Sequence, residues 1–147
     1  MIPDQFRAPE TPPPLNERVK LSGKQQAAES ILTDFSVALE GLPVFLSQQG
    51  TIEASAGTQP VDVFERMARQ AERLWRDATD QPAREVIRFD EEVISSESDR
   101  TSFLLYSVHV AGALTLTVGW QPSLSLTQLR AETSDAVEAL RRVLATA

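Results

Sequence analysis

The sequence predicts an α+β domain in which a five-stranded antiparallel sheet is flanked by three helices, in the order α-β-β-α-β-β-β-α. Three observations predict this class. Three segments place apolar residues at helical spacing, the segments between them alternate apolar and polar residues, and short turns join those alternating segments into runs. Strands joined by short turns pair antiparallel. A chain of 147 residues suits one such domain with a single core.

The first 21 residues differ from the rest in composition. They contain five of the nine prolines, namely Pro3, Pro9, Pro12, Pro13 and Pro14. Proline removes a backbone donor and favours extended conformations. We therefore expect residues 1–21 to be a disordered, Pro-rich tail and residues 22–147 to form the domain. A solvated tail is the first interpretation, and a peptide ligand for a groove is the alternative.

Both the first and the last helix begin with a capping-box sequence. Ser22 with Gln25, and Ser125 with Gln128, place a side-chain acceptor three residues before a glutamine that can reach back. Gly41 and Pro43 should end the first helix. Its apolar stripe consists of Ala28, Ile31, Leu32, Phe35 and Leu39. The stripe of the last helix consists of Leu126, Leu129, Thr133, Ala136, Val137, Leu140, Val143 and Leu144. We expect these two helices to share one face of the sheet and the second helix to cover the other.

The strands fall into two groups. Residues 42–46 and 51–56 form a hairpin around the turn Gln48-Gln49-Gly50, with Phe45 on the opposite face from its neighbours. Residues 84–95, 101–108 and 114–118 form the other three strands. The polar residues 96–99 and Gly112 mark the turns between them.

The second helix, from about Pro60 to Ala78, has an unusually wide apolar face. One stripe consists of Phe64, Met67, Ala68, Ala71, Trp75 and Ala78, and a second, rotated stripe consists of Val63, Met67 and Leu74. One sheet should cover only part of such a face, so we expect a dimer partner to cover the rest. The alternative is that Val63 and Leu74 lie exposed or at the rim.

The composition excludes several classes of function. The net charge of −7 opposes binding to nucleic acid and adsorption to anionic lipid. Cysteine is absent, so disulfides and cysteine chemistry are excluded. We find neither an apolar run long enough for a membrane span nor a secretory signal, and we therefore expect a cytoplasmic protein.

The sequence predicts no catalytic, cofactor or metal site. The only histidine, His109, lies near a strand end, and the motifs of serine hydrolases and of nucleotide-binding loops are missing. The acidic stretch from Asp90 to Asp99 lacks the spacing of a calcium loop. We interpret it as a solvated hairpin tip that discourages aggregation, the alternative being a docking surface for a basic partner.

The element order and lengths resemble the roadblock/LC7 domain, of roadblock/profilin-like fold, over about residues 22–147. Residues 38–44, which join the first helix to the first strand, are similar to the leucine-proline-glycine-valine sequence of the family. The first hairpin keeps the turn glycine, Gly50, but the aspartates of the family are replaced by Ser47, Gln48 and Gln49. The helix from Pro60 has the expected length, and residues 136–144 end the last helix as in the family.

This resemblance implies a homodimer in which the second helices and third strands of two protomers meet. The interface would then contain Val63, Met67, Gln70, Leu74, Ile87 and Phe89. It also implies a regulator or scaffold of a small Ras-like GTPase or another signalling partner, without an active site of its own. The arginines of the second helix that could contact an acidic GTPase surface are Arg66, Arg69 and Arg73. The simpler interpretation of these arginines is a solvated face with i,i+4 ion pairs.

Two other classes remain open. An acidic, dimeric export chaperone of the type III secretion kind would hold an extended segment in apolar grooves, whereas a roadblock protein would bind a folded GTPase. A small-ligand sensor of the PAS or profilin-like kind would need a pocket with convergent polar groups.

Overall fold

The computed structural model describes residues 18–77, 85–94, 102–121 and 123–145, and for residues 85–94, 102 and 103 it describes the backbone alone. The elements are α1 (Gln25–Ala38), β1 (Val44–Gln48), β2 (Thr51–Ala56), α2 (Val61–Asp77), β3 (Glu85–Ile94), β4 (Ser102–Ala111), β5 (Leu114–Trp120) and α3 (Leu126–Ala145). The predicted α+β class, with three helices and an antiparallel sheet, is confirmed. The predictions for residues 1–17 and for the turn at 96–99 lie outside the described residues.

The sheet has the strand order β2-β1-β5-β4-β3, and every pair of neighbours is antiparallel. The last strand of the sequence is therefore central, and β2 and β3 are the two edges. Gln49 and Gly50 both have positive φ, of 52° and 83°, which matches the right-handed twist of a two-residue hairpin between β1 and β2. The register of β3 against β4 is irregular between Arg88 and Val93.

The helices lie on the two faces as predicted. The side chains of α1 and α3 form the larger core with Val44, Leu46 and alternate residues of β4 and β5. On the other face α2 packs over a second cluster, in which the rings of Phe45 and Phe64 meet edge to face with 6.2 Å between their centroids. Phe45 thus points away from Val44 and Leu46, because successive side chains of a strand point to opposite faces.

The start of α1 differs from the prediction. The helix begins at Gln25, its N-cap residue is Lys24, and no side chain caps it. Gly23 has a φ of +78°, and the amide of Lys24 donates to the carbonyl of Leu21 at 2.8 Å, so residues 21–24 form a turn. The side chain of Gln25 does not reach back to Ser22 but donates through Nε2 to the carbonyl of Glu53 on β2. A tertiary contact has replaced the predicted local cap.

The start of α3 confirms its cap. Ser125 Oγ accepts a hydrogen bond of 3.1 Å from the amide of Gln128, and the helix begins at Leu126. This bond pairs one of the four amides that the first turn of a helix leaves without a partner.

The first helix ends through left-handed backbone, as its glycine predicts. Glu40 and Gly41 have φ of 61° and 88°, and the amide of Gly41 donates to the carbonyl of Ser36 at 2.8 Å. This arrangement pairs a carbonyl of the last turn and directs the chain into Pro43 and β1. In the part of the chain that the structure describes, no helix combines the length and apolarity needed to cross a membrane.

Candidate functional site

The second helix carries most of the residues that the sequence singled out. It runs from Val61 to Asp77, one residue after the predicted start at about Pro60, while the predicted last residue, Ala78, lies outside the described residues. Its first turn passes the end of β2, where the side chain of Phe64 lies near Gly57. Its last turns pass the β1–β2 turn, where the carboxylate of Glu72 lies near Gly50. The helix therefore passes both ends of β2, and it contacts each of the five strands.

Two of the predicted interface residues are buried inside the protomer. Val63 and Met67 are both fully buried, at 0% exposure, in the cluster that α2 forms with Phe45 and Leu105 of its own sheet. The sheet of one protomer thus covers both apolar stripes of the helix over its first three turns. The apolar face of this part of α2 is wide because the helix packs closely against the sheet of its own protomer. The side chains of Val63 and Met67 are therefore not accessible to a partner.

Gln70 and Leu74 are placed differently. Both are half-buried, and Leu74 packs at the margin of the same cluster. Each lies about 160° around the helix from Glu72, at 100° per residue. Because Glu72 faces the β1–β2 hairpin, Gln70 and Leu74 lie on the side of α2 that is turned toward the β3 edge. The Oε1 atom of Gln70 is buried, and among the described residues it has no hydrogen-bond partner.

Ile87 and Phe89 lie on the edge strand β3. Ile87 is paired with Tyr106 of β4, and Phe89 falls in the irregular segment between Arg88 and Val93. Within the described part of the chain, β3 is paired on one side alone. Such an edge presents backbone donors and acceptors to whatever lies next to it.

The three arginines that were predicted to bind a partner are exposed. Arg66, Arg69 and Arg73 lie on the face of α2 that is turned away from the sheet. One turn further along, the carboxylate of Glu72 pairs with Arg76 at 2.9 Å, so part of this face is the ion-paired surface that the sequence also suggested. We call Arg66, Arg69 and Arg73 the arginine face.

A buried polar chain under α2 was not expected from the sequence. The indole of Trp75 donates to Ser107 Oγ at 2.8 Å, and this oxygen lies 2.9 Å from Thr117 Oγ1. Ser107 and Thr117 have no exposure. Neighbouring strands β4 and β5 place these hydroxyls opposite each other. The sequence does not show that these hydroxyls meet the indole of Trp75, because the contact depends on the position of α2 over the sheet.

His109 has a structural role in its hairpin. Its Nε2 lies 2.6 Å from the carbonyl oxygen of Gly112. Because a carbonyl only accepts, Nε2 carries the proton, and the ring ties β4 to the turn before β5. Among the residues that the structure describes, no three His, Asp or Glu side chains come together in a group that could hold a metal ion.

Comparisons with known proteins support the fold. No protein-family model and no curated protein matches the sequence. Among solved structures, MglB of Myxococcus xanthus is similar with a TM-score of 0.64 and 16% identity, over 86% of this chain and 93% of that chain. An MglB with a tetrameric arrangement is similar with a TM-score of 0.60 and 16% identity, over 91% and 97% of the two chains.

The third comparison bears directly on the resemblance seen in the sequence. A roadblock/LC7 domain from Streptomyces avermitilis is similar with a TM-score of 0.59 and 18% identity, over 80% of this chain and 98% of that chain. The agreement extends over nearly the whole of each relative. This chain therefore has the roadblock/LC7-like fold that its sequence resembles.

Proposed function

We propose that the chain is a non-catalytic homodimeric regulator or scaffold that binds a small Ras-like GTPase. The observation that carries the proposal is the position of the arginine face: in a roadblock/LC7-like fold, it lies on the exposed side of α2, next to the side that is turned toward the β3 edge. One region of the surface thus offers a place for a second copy and a place for an acidic partner.

The proposed dimer joins the α2–β3 side of one protomer to the same side of another. Pairing of two β3 strands would use the edge that is free among the described strands and would continue the sheet. The buried Oε1 of Gln70 supports this side as the interface, because an unpaired buried acceptor costs about 1–3 kcal/mol unless a donor reaches it. Leu74 would contribute the apolar contact, and Ile87 and Phe89 stay with β3 as proposed interface residues.

Light scattering after size-exclusion chromatography tests the dimer. We expect the wild type to have twice the 16.2 kDa mass of one chain and Leu74→Arg to have the mass of one chain. Val37→Arg is the matched control, since it places the same charge on an apolar residue that is 72% exposed on α1, on the opposite face of the sheet. It should remain dimeric. A wild type that is monomeric at tens of micromolar would overturn the dimer and favour a ligand sensor.

The proposed GTPase contact is electrostatic. Arg66, Arg69 and Arg73 would meet an acidic surface of the partner, and contacts of this kind raise the association rate and weaken with salt. The net charge of −7 means that this face is a local exception on an acidic protein. The alternative export chaperone would instead hold an extended apolar segment, and its binding would not depend on the arginine face.

Isothermal titration with a Ras-like GTPase of the same genome, loaded with GDP or with a non-hydrolysable GTP analogue, tests the contact. We expect Arg69→Glu/Arg73→Glu to weaken binding about tenfold or more. Lys20→Glu/Arg142→Glu is the control, because it reverses two exposed charges elsewhere on the chain. Equal losses in both double variants would mean that only the overall charge matters. Binding of an unfolded segment in place of the GTPase would favour the chaperone.

A further inference from the structure

A pocket of about 280 Å³ opens between α3 and β4, on the face of the sheet opposite α2. Tyr106 and Val108 of β4 and Val137 of α3 form its apolar part. The volume lies near the lower end of the range for small-molecule sites, which suits a compact metabolite rather than a protein segment. The pocket is separate from the arginine face and from the β3-facing side of α2.

Thr133 lines this pocket, and its hydroxyl is buried without a partner among the described residues. Thr133 is 1% exposed, and its Oγ1 makes no hydrogen bond to any of the described residues. A threonine within a helix commonly donates to the carbonyl four residues before it, as Thr33 does here to Glu29 at 2.9 Å. Thr133 does not use this bond. A buried hydroxyl is rarely left unpaired, so its position indicates a missing partner in the pocket.

The other polar groups of the pocket are mostly donors. Arg130, Ser134 and Arg141 of α3 line it with N–H and O–H donors. Arg141 is held in place by its own fold: Nε donates to the carbonyl of Val110 at 2.9 Å, and Nη2 to that of His109 at 3.3 Å. A guanidinium has five N–H donors, so these two bonds fix its plane and leave others for a ligand.

The charges in the pocket favour an anion. Glu138 is the one carboxylate among its lining residues, and it pairs with Arg142 outside the pocket at 3.5 Å. The lining residues thus include two guanidiniums and one carboxylate. Exposed charges elsewhere on this acidic chain contribute less to the electrostatic potential in the pocket, because salt screens them over about 10 Å. A ligand here needs acceptor oxygens, which phosphate and carboxylate groups provide.

We propose that the pocket between α3 and β4 binds a small organic anion that carries a phosphate or carboxylate group, with Arg141, Arg130 and Thr133 as its main contacts. The site lies apart from the proposed dimer and GTPase surfaces, so a metabolite bound there would regulate the proposed scaffold without occupying either surface. Anion binding in this pocket does not require the dimer, so the Leu74→Arg variant should still bind the anion.

Titration of ¹⁵N-labelled protein at constant ionic strength tests the site, with inorganic phosphate, glycerol 3-phosphate and succinate as probes and chloride as the reference anion. We expect saturable shifts of the amides of His109, Thr133 and Val137 with at least one probe. The probe that binds distinguishes phosphate from carboxylate recognition. Absence of saturable shifts with all three probes would overturn the proposal.

Three variants then locate the contacts. Arg141→Gln should weaken binding about tenfold or more, since it removes a charged donor. Thr133→Val replaces the unpaired hydroxyl with a methyl of the same shape, so it should fold as stably as the wild type while binding more weakly. Lys20→Gln is the control, because it removes one exposed positive charge that does not line the pocket. If Lys20→Gln weakens binding as much as Arg141→Gln, the effect is one of overall charge and the proposal fails.

Discussion

The carboxamide of Gln48 holds the backbone of Val19 through two hydrogen bonds. Its Oε1 accepts from the amide of Val19 at 2.6 Å, and its Nε2 donates to the carbonyl of the same residue at 2.8 Å. Gln48 is 1% exposed and ends β1, so it pairs with Val19 as a neighbouring strand would. Arg18 adds an ion pair of 2.9 Å to Glu53. This contact attaches the start of the described chain to the first hairpin.

We predict that Gln48→Leu lowers the free energy of unfolding by about 1–3 kcal/mol, because it leaves a backbone donor and acceptor without their partners. Urea unfolding measures the loss. Trypsin should also cut faster after Lys20 and Lys24. Gln26→Leu is the control, since it makes the same change at an exposed position of α1 and should leave both readouts near wild type. An equal loss in the two variants would show that the pairing of Gln48 with Val19 adds no stability.

The two capping-box sequences lead to a second prediction. Ser125→Ala should cost about 1 kcal/mol, because Ser125 Oγ accepts from the amide of Gln128, whereas Ser22→Ala should cost almost nothing, because Ser22 caps no helix. Thermal unfolding of both variants measures the difference. Equal costs would contradict the observed start of α1 at Gln25.

These two serines show what the sequence can and cannot predict. The apolar periodicity located all three helices to within a few residues, because the helical spacing of apolar residues is visible in the local sequence. The predicted capping box at the start of α1 was wrong, because the side chain of Gln25 donates to the carbonyl of Glu53, which is 28 residues away. No local pattern contains that contact. In the same way, the sequence showed two apolar stripes on α2, but only the packed sheet shows that Val63 and Met67 are covered within one protomer.

The candidate sites also differ in whether local sequence or tertiary contacts define them. The exposed position of Arg66, Arg69 and Arg73 follows from helical periodicity, and all three are exposed in the structure. The pocket of Thr133 was not predicted, because it joins residues of β4 to residues of α3 that are more than 20 positions apart. In the sequence, Thr133 was one more member of an apolar stripe, and its unpaired hydroxyl is visible only once its neighbours are known.

Two glycines with positive φ give a third prediction. Gly57 has a φ of +126°, and a Cβ added there would lie 3.1 Å from the Cα of Pro43, a backbone atom that cannot move aside easily. Gly23 has a φ of +78°, and a Cβ there would meet none of the described atoms within 4 Å. Gly23→Ala should therefore cost about 1–2 kcal/mol, from the left-handed backbone alone.

Gly57→Ala should cost about 3 kcal/mol, because steric conflict adds to the backbone strain. Urea unfolding of the two variants, with equal m-values, measures the difference. If Gly23→Ala proves the more costly, the close approach of Gly57 to Pro43 does not determine the packing of the β2–α2 connection.

The hydrogen bond from Trp75 to Ser107 gives the last prediction, which concerns how α2 is fixed on the sheet. Trp75→Phe keeps most of the apolar contact but removes the indole donor, and it leaves the buried hydroxyl of Ser107 with Thr117 alone. Ser107→Ala removes the acceptor. We expect each change to lower the free energy of unfolding by about 1–3 kcal/mol. The double variant should lose less than the sum, with a coupling of about 1 kcal/mol.

Thr115→Val combined with Trp75→Phe is the control cycle. Thr115 pairs with Ser47 on β1 and shares no hydrogen bond with Trp75, so these two changes should add to within about 0.5 kcal/mol. A coupling between Trp75 and Ser107 that is no larger than this would show that apolar packing alone positions α2. A larger coupling would identify the buried polar chain as a determinant of the orientation of α2. That orientation is the one that turns Leu74 toward the β3 edge and keeps the arginine face in solvent.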